Sequence, residues 1–418
     1  MSESRLSLLY QTPERHPTVR ADVAALFGKY LPRHGVAVRL VTQAAQPGPI
    51  APWSGDHTAV LPVTGRLARD TAAILWHRLR CLVTTPRSAV DAVIIRDMPT
   101  FAAVAWLVCR LRGIPFIYWM SFPIIEGYGF LADAGPRRIG WARWFYARLR
   151  AFTGGLLLYR WVLPRARHVF VQSEAMRQAM LAKGCRPGRT TAVPMGVDLE
   201  ELASDEGTSA DEPRLAGREA LIYVGTLSAS RRLDVLLEGF ALAWRQRPQA
   251  MLVMVGREDV PGETDALLQL AQRLGVADQI LWAGWMPRPQ AAALVRASRI
   301  GLSMVPRGPL FDVSSPTKLC EYLAMGVPGL VNDIPDQAEV AHASGAAAVV
   351  PMTPQDIADG ILGMLADPQR LARMGAQGPG YVRAERSYDV LATRLAQTLR
   401  QAVEGTRDAL HTGPVVDS

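Results

Sequence analysis

The sequence predicts an α/β protein built as two doubly wound domains in series. Three observations carry that expectation. The chain opens as strand, loop, helix, strand: apolar runs at residues 5–10 and 36–42 flank a helix around Val23–Tyr30. A polar, small-residue, aperiodic stretch, LASDEGTSADEPRLAGRE, interrupts the chain near its middle. After it the opening pattern restarts, with an apolar strand at residues 220–224 running into Gly225.

In the first half, QTPERHPTVR is a polar loop at the end of the first strand, where ligand loops of such domains sit. His16 and Arg20 are its conspicuous functional groups, and His16 is a candidate acid/base residue. Residues 44–66 are rich in Pro and Gly and read as an irregular loop. Helical spacing follows at 66–82, a strand at 92–95, a helix at 101–111 and a strand at 115–119. That strand runs into WMSFPIIEGY, where Glu126 is the nearest strong acid/base group and is expected in a loop.

Residues 134–173 carry no acidic side chain. Within 137–167, Arg137, Arg138, Arg143, Arg148, Arg150 and Arg160 alternate with Trp141, Trp144, Phe145, Tyr159 and Trp161. Such a basic, aromatic, amphipathic stretch suits the surface of an anionic membrane, with rings at headgroup depth. The same composition also fits nucleic acid, or core aromatics backed by a solvated arginine face. No nucleic-acid module surrounds it, so the membrane reading is preferred and no nucleic-acid partner is expected. Strands at 168–172 and 190–193 with a helix at 174–183 complete this half.

The second half continues with strands at 251–255 and 280–283. Later come strands at 328–331 and 347–350, a helix near 337–343, and closing helices at 354–366 and 389–403, with residues 406–418 expected to fray. Between them lies the most informative stretch, VPRGPLFDVSSPTKLCEYLAMGVPGLVN (305–332). A buried strand ends at Pro306, a broken loop follows, and a short helix has Ser315 as N-cap, Pro316 at its first position and Gly326 just past its end. Leu319, Cys320 and Leu323 form the core stripe, and Lys318 and Glu321 project from the other side. A cation in the first helical turn opposes the macrodipole, and Lys before Glu is the weaker order for a helical pair. A phosphate on the free N–H groups of that turn makes Lys318 a ligand, with Glu321 placed to accept ribose hydroxyls. A solvated Lys/Glu pair is the plain alternative.

SPTKLCEYLAMGVP resembles the nucleotide-sugar signature of retaining glycosyltransferases of glycosyltransferase family 4. VPMGVDLEEL (193–202) resembles the same family's Pro-x-Gly-Val-Asp turn. The resemblance implies a GT-B fold, two Rossmann-like domains facing a cleft, with a last helix that crosses back to the first. The implied division is 1–198 for an acceptor-binding domain, 199–219 for a linker, 220–385 for a nucleotide-sugar-binding domain and 386–418 for the returning helix and tail. It further implies that Glu321 binds the donor ribose and that Lys318, with the backbone at Ser315 and Thr317, holds the diphosphate. The family's Arg position is Thr226 here, beside Gly225, and its Lys position is Arg231, a charge-preserving change that gains a bidentate fork. Base-reading groups fall at Gly284, Trp285 and Met286. Val313 stands where other members carry a second Glu, with Asp312 beside it as a stand-in, and Ser121 stands near the place of a sugar-contacting His.

Composition bounds the rest. Of the 418 residues, 49% are hydrophobic and 20% charged, as in ordinary globular proteins. Four scattered cysteines form no disulfide or zinc framework, and neither a signal peptide nor a membrane-spanning run is read. A cytoplasmic protein, peripheral at the inner face of the membrane, is expected. The net charge of +8 suits anionic partners. The function expected is transfer of a sugar, with retention, from a nucleotide sugar to a hydroxyl of a lipid-linked or polysaccharide acceptor in surface-glycan synthesis, with no metal or cofactor. The alternatives are a non-catalytic GT-B scaffold and a nucleotide-sugar epimerase or hydrolase.

Overall fold

The computed structural model describes residues 5–55, 57–205, 207, 209–210 and 212–411. The chain divides into two units: Met1–Met195 with Tyr388–Ser418, and Gly196–Ser387.

The first unit is built on a parallel sheet of seven strands. They are β1 (Leu6–Gln11), β2 (Val36–Gln43), β3 (His57–Leu61), β4 (Ala92–Arg96), β5 (Phe116–Met120), β6 (His168–Val171) and β7 (Thr190–Ala192). Their order, β3-β2-β1-β4-β5-β6-β7, reverses between β1 and β4. Every residue of β4, β5 and β6 is buried, and apart from Arg96 and His168 all are apolar, as expected of a parallel sheet covered on both faces. The last helix, Tyr388–His411, lays Leu391, Leu395 and Leu399 into the same core as Leu8, Phe27 and Val38.

The second unit holds a six-stranded parallel sheet ordered β10-β9-β8-β11-β12-β13. Its strands are β8 (Glu219–Val224), β9 (Ala250–Val255), β10 (Ile280–Gly284), β11 (Ile300–Ser303), β12 (Gly329–Asn332) and β13 (Ala347–Val350). Here the order reverses between β8 and β11, and the carboxyl ends at such a reversal are where ligands of doubly wound sheets bind.

Several expectations need correction. The 44–66 loop contains β3, a short edge strand whose Pro and Gly neighbours mask its pattern. Glu126 lies in a helix, Ile124–Asp133, despite Gly127 and Gly129. The linker expected at 199–219 begins with a helix, Leu199–Ser204, capped by Asp198 and anchored by buried Leu202; Glu206, Thr208 and Asp211 of that stretch lie outside the described residues. The tail is helical to His411, and 412–418 lie outside the described residues.

An unforeseen helix, Pro368–Tyr381, is glycine-rich because it packs backbone to backbone. A Cβ at Gly375 would come 2.6 Å from the carbonyl oxygen of Gly326, and one at Gly378 2.6 Å from that of Leu323. Beneath it, Arg386 and Asp336 form a buried ion pair at 3.0 Å, and Ser315 Oγ donates to the same carboxylate at 2.8 Å. Arg386→Ala strands Asp336 as an uncompensated buried charge. It should lower stability by about 3–5 kcal/mol in a denaturant titration.

Candidate functional site

The helix that follows β11, Thr317–Ala324, is one residue shorter at its start than expected. Pro316 is its N-cap, and Ser315 turns inward to Asp336 instead of capping. No side chain caps the amino end, so its first N–H groups stay available for an anion. The carboxyl end closes as a Schellman motif: Val327 N–H bonds Tyr322 O at 3.0 Å and Gly326 N–H bonds Leu323 O at 3.1 Å. Tyr322 fixes the helix to the sheet, accepting from Val224 N–H at 3.0 Å.

Lys318 projects from the first turn to the end of β8. Its Nζ donates to Tyr223 Oη at 3.0 Å and lies 4.2 Å from the ring centroid, while Tyr223 donates to Thr226 O at 3.1 Å. A Cβ on residue 225 would sit 2.6 Å from Lys318 Cε, so only Gly225 leaves room for this side chain. Gly225 N–H bonds Val255 O, and Gly256 N–H bonds Gly284 O, each at 2.9 Å, so strand-end backbone links β8, β9 and β10.

The electrostatics around Lys318 disfavour its charge. Burial pushes the Lys318 ammonium down to about 7, Arg231 pushes the same way, and Glu321 opposes both. The Arg231 guanidinium lies 5.5 Å from the Phe311 ring centroid, on the loop between β11 and the helix. Burial raises the Glu321 carboxyl above its ordinary range, against a Thr317 hydrogen bond and the charges of Arg288 and Lys318. Thus Thr226, Arg231 and Lys318 gather around Tyr223 with Gly225 against Lys318, and Glu321, bonded to Thr317, acts on Lys318 from one turn on. Gly284 joins them through backbone, Trp285 beside it is exposed, and Met286 packs on the sheet core.

The acid/base candidates are elsewhere engaged. Asp312 accepts from Arg307 Nε at 2.7 Å and from Gly308 N–H at 3.0 Å, and Arg307 also pairs with Asp333. In the first unit, Glu126 accepts from Tyr159 at 2.7 Å and pairs with Lys183, bracing two helices to each other. His16 is buried against Trp53, with Nε2 on Ala51 O at 2.9 Å. Ser121 is buried too, its N–H and hydroxyl both donated to Asp97. Among the described residues no group of three His, Cys, Asp or Glu side chains is placed to hold a metal ion.

Comparison with known proteins is decisive for the family. Residues 21–196 match the family described as "Glycosyl transferase 4-like domain", and residues 206–380 match "Glycosyl transferases group 1". The chain belongs to glycosyltransferase family 4, with the GT-B fold. This family 4 chain is 28% identical over 225 residues to a D-inositol 3-phosphate glycosyltransferase of Segniliparus rotundus, covering 52% of this chain and 48% of that one. It is 28% identical over 214 residues to a GDP-mannose-dependent alpha-(1-6)-phosphatidylinositol monomannoside mannosyltransferase of Mycobacterium tuberculosis, covering 50% and 55%. The chain spans about half the length of these curated relatives. The crystal structure of Anabaena Alr3699/HepE in complex with UDP superposes with a TM-score of 0.67, covering 95% of this chain and 100% of that one at 16% identity, which shows a shared fold.

Sequence reasoning missed Tyr223, Tyr322 and Arg288. The signal for Tyr223 was a polar-tipped aromatic two residues before a strand-end glycine; Arg288 gave none. The ligand-free state carries a cost at Lys318 with a definite pH signature. Its folded value, about 7, lies below its ordinary 10.5, so the penalty on the charged form is complete below pH 7 and fades as pH climbs toward 10.5. Lys318→Met should therefore stabilise the ligand-free protein at pH 6, with the gain shrinking toward pH 10 in thermal melts.

Proposed function

We propose that this family 4 member transfers a sugar from a nucleotide-sugar donor to a hydroxyl of a lipid-linked or glycan acceptor, with retention at the anomeric carbon. The observation that carries the reading is the approach of Lys318 and Arg231 at the uncapped start of a helix, at the strand reversal of the second unit. A diphosphate resting there takes charge-assisted bonds from both side chains and from the helix N–H groups, while Glu321, one turn on, receives the ribose. As the sugar departs, negative charge grows on the diphosphate, where these fixed donors need no rearrangement. The curated relatives named above support the reading, one by its nucleotide-sugar donor and both by glycosyl transfer.

The donor part is tested by a thermal-shift panel of UDP-, GDP- and ADP-sugars. One class should raise the melting temperature clearly at saturation. Lys318→Ala and Glu321→Ala should each remove that rise while leaving a cooperative melt. A flat panel would sink the assignment.

We further propose that the acceptor lies at an anionic membrane surface. The expected 137–167 stretch is helical at Trp141–Gly155 and beyond; of its five aromatics Trp141, Phe145 and Trp161 are exposed, while Trp144 and Tyr159 are half-buried and Tyr159 bonds Glu126. Trp141, Phe145, Leu149, Phe152 and Leu156 share one helix face and are 71, 62, 46, 69 and 50% exposed. Exposed Arg137, Arg138, Arg143, Arg148 and Arg160 accompany them. That pattern supports interfacial docking, with about 1 kcal/mol per basic residue near an anionic surface. Among the described residues no helix is long and apolar enough to cross a membrane. The protein should sediment with phosphatidylglycerol vesicles and not with phosphatidylcholine. The Phe145→Ser/Phe152→Ser double variant should lose most of that binding while keeping its nucleotide-induced thermal shift.

A further inference from the structure

The loop between β11 and the Thr317–Ala324 helix is pinned at both ends to one neighbouring segment. At its start, Asn332 Oδ1 accepts from Val305 N–H at 2.8 Å, and Asn332 Nδ2 donates to Val305 O at 2.7 Å. At its end, Ser315 Oγ donates to Asp336 Oδ2 at 2.8 Å. Gln337, next to Asp336, donates to Asn332 Oδ1 at 3.1 Å and ties the two anchors together. Asn332, Asp336, Gln337 and Ser315 are all buried.

Ser315 has the setting of a cap. A serine one residue before a helix-opening proline turns its oxygen to the N–H of the second or third helical residue. Those residues are Thr317 and Lys318, whose N–H groups are the ones a diphosphate would use. Cap and anion therefore compete for the same donors. Asp336 decides the competition, because a carboxylate takes a hydroxyl in a charge-assisted bond, stronger than a neutral one.

A bare carboxylate this near would repel a phosphate, and Arg386 removes that objection. Its Nη2 donates to Asp336 Oδ1 at 3.0 Å and its Nη1 to Oδ2 at 3.4 Å, with the two side chains 6 and 4% exposed. Arg386 is held in turn by its own backbone, whose carbonyl accepts from Val197 N–H at 2.8 Å. A buried ion pair adds little net stability over apolar residues of the same volume, so stability alone is a poor reason for this one.

We infer that Asp336, neutralised by Arg386, is a positioning residue for donor binding. It draws the Ser315 hydroxyl off the helix start and so keeps the N–H groups of Thr317 and Lys318 open to the diphosphate. The inference rests on the transferase reading and names the two side chains that stop the protein from capping its own anion site.

The test removes both members of the pair, so that neither charge is stranded. In Asp336→Leu/Arg386→Met, Ser315 Oγ loses that acceptor and should turn onto the helix. UDP, GDP and ADP are titrated calorimetrically into the full chain. The nucleotide that binds the wild type should bind the double variant about fivefold or more weakly, the factor a serine cap is worth. Adding Ser315→Ala removes the cap and should restore most of that affinity, whereas damaged packing is not repaired by a third substitution. Amide exchange followed by NMR reads the cap directly. The Thr317 and Lys318 N–H groups should exchange more slowly in the double variant than in the wild type, and fast again in the triple. The milder Asp336→Asn, which keeps the shape of the side chain, should show the same loss and the same rescue by a smaller factor, and thermal melts report which variants are folded. Unchanged affinity in both the double variant and Asp336→Asn, or a folded Ser315→Ala combination that stays as weak as its parent, overturns the inference while leaving the donor reading intact. A wild type that binds none of the three nucleotides overturns the donor reading, and the inference falls with it.

Discussion

Lys318 can lie against the ring and hydroxyl of Tyr223 only because residue 225 has no Cβ, and the second unit's site follows from that steric fact. The ammonium is desolvated, sits at the positive end of a helix and feels Arg231 nearby. Each of these disfavours a cation, and each becomes favourable when an anion arrives. The surroundings hold this unfavourable arrangement still. Tyr322 bonds the helix to β8, the Schellman motif fixes its far end, and glycines of Pro368–Tyr381 press backbone onto that end. Rigidity here is inherited from packing two layers away from the charged groups.

Much of this was legible because the relevant chemistry is local. Strand, loop, helix and Gly–Pro punctuation fall within one window at 300–328, and the odd placement of Lys318 could be weighed against dipole and pair-order arguments without any long-range contact. The two parallel sheets were legible for a similar reason: buried parallel strands are largely apolar runs, as β5 is throughout and as β4 and β6 are apart from Arg96 and His168 at their ends.

What escaped was set by partners distant in sequence. Ser315 looks like a cap until Asp336, held by Arg386, takes its hydroxyl. The glycines of Pro368–Tyr381 lower helix propensity, and only the carbonyls of Leu323 and Gly326 across the contact explain them. The aromatics of Trp141–Gly155 have the spacing of a core face, and nothing in the spacing says whether a core lies opposite. Asp97, in the two-residue turn between β4 and the helix Pro99–Leu111, offered no pattern at all; its environment comes from Ser121 just past β5 and from its neighbour Arg96, itself tied to Asp22.

The first unit is discontinuous in sequence, and that orders its assembly. Its core includes Leu391, Leu395 and Leu399 from the last helix, while the second unit is one uninterrupted segment. During synthesis the opening half therefore leaves the ribosome with one flank of its interior uncovered, and it stays so until the whole second unit has been made. The portion translated first is completed last, so for most of translation its apolar flank at Leu31 and Val36 is a surface for chaperones to shield.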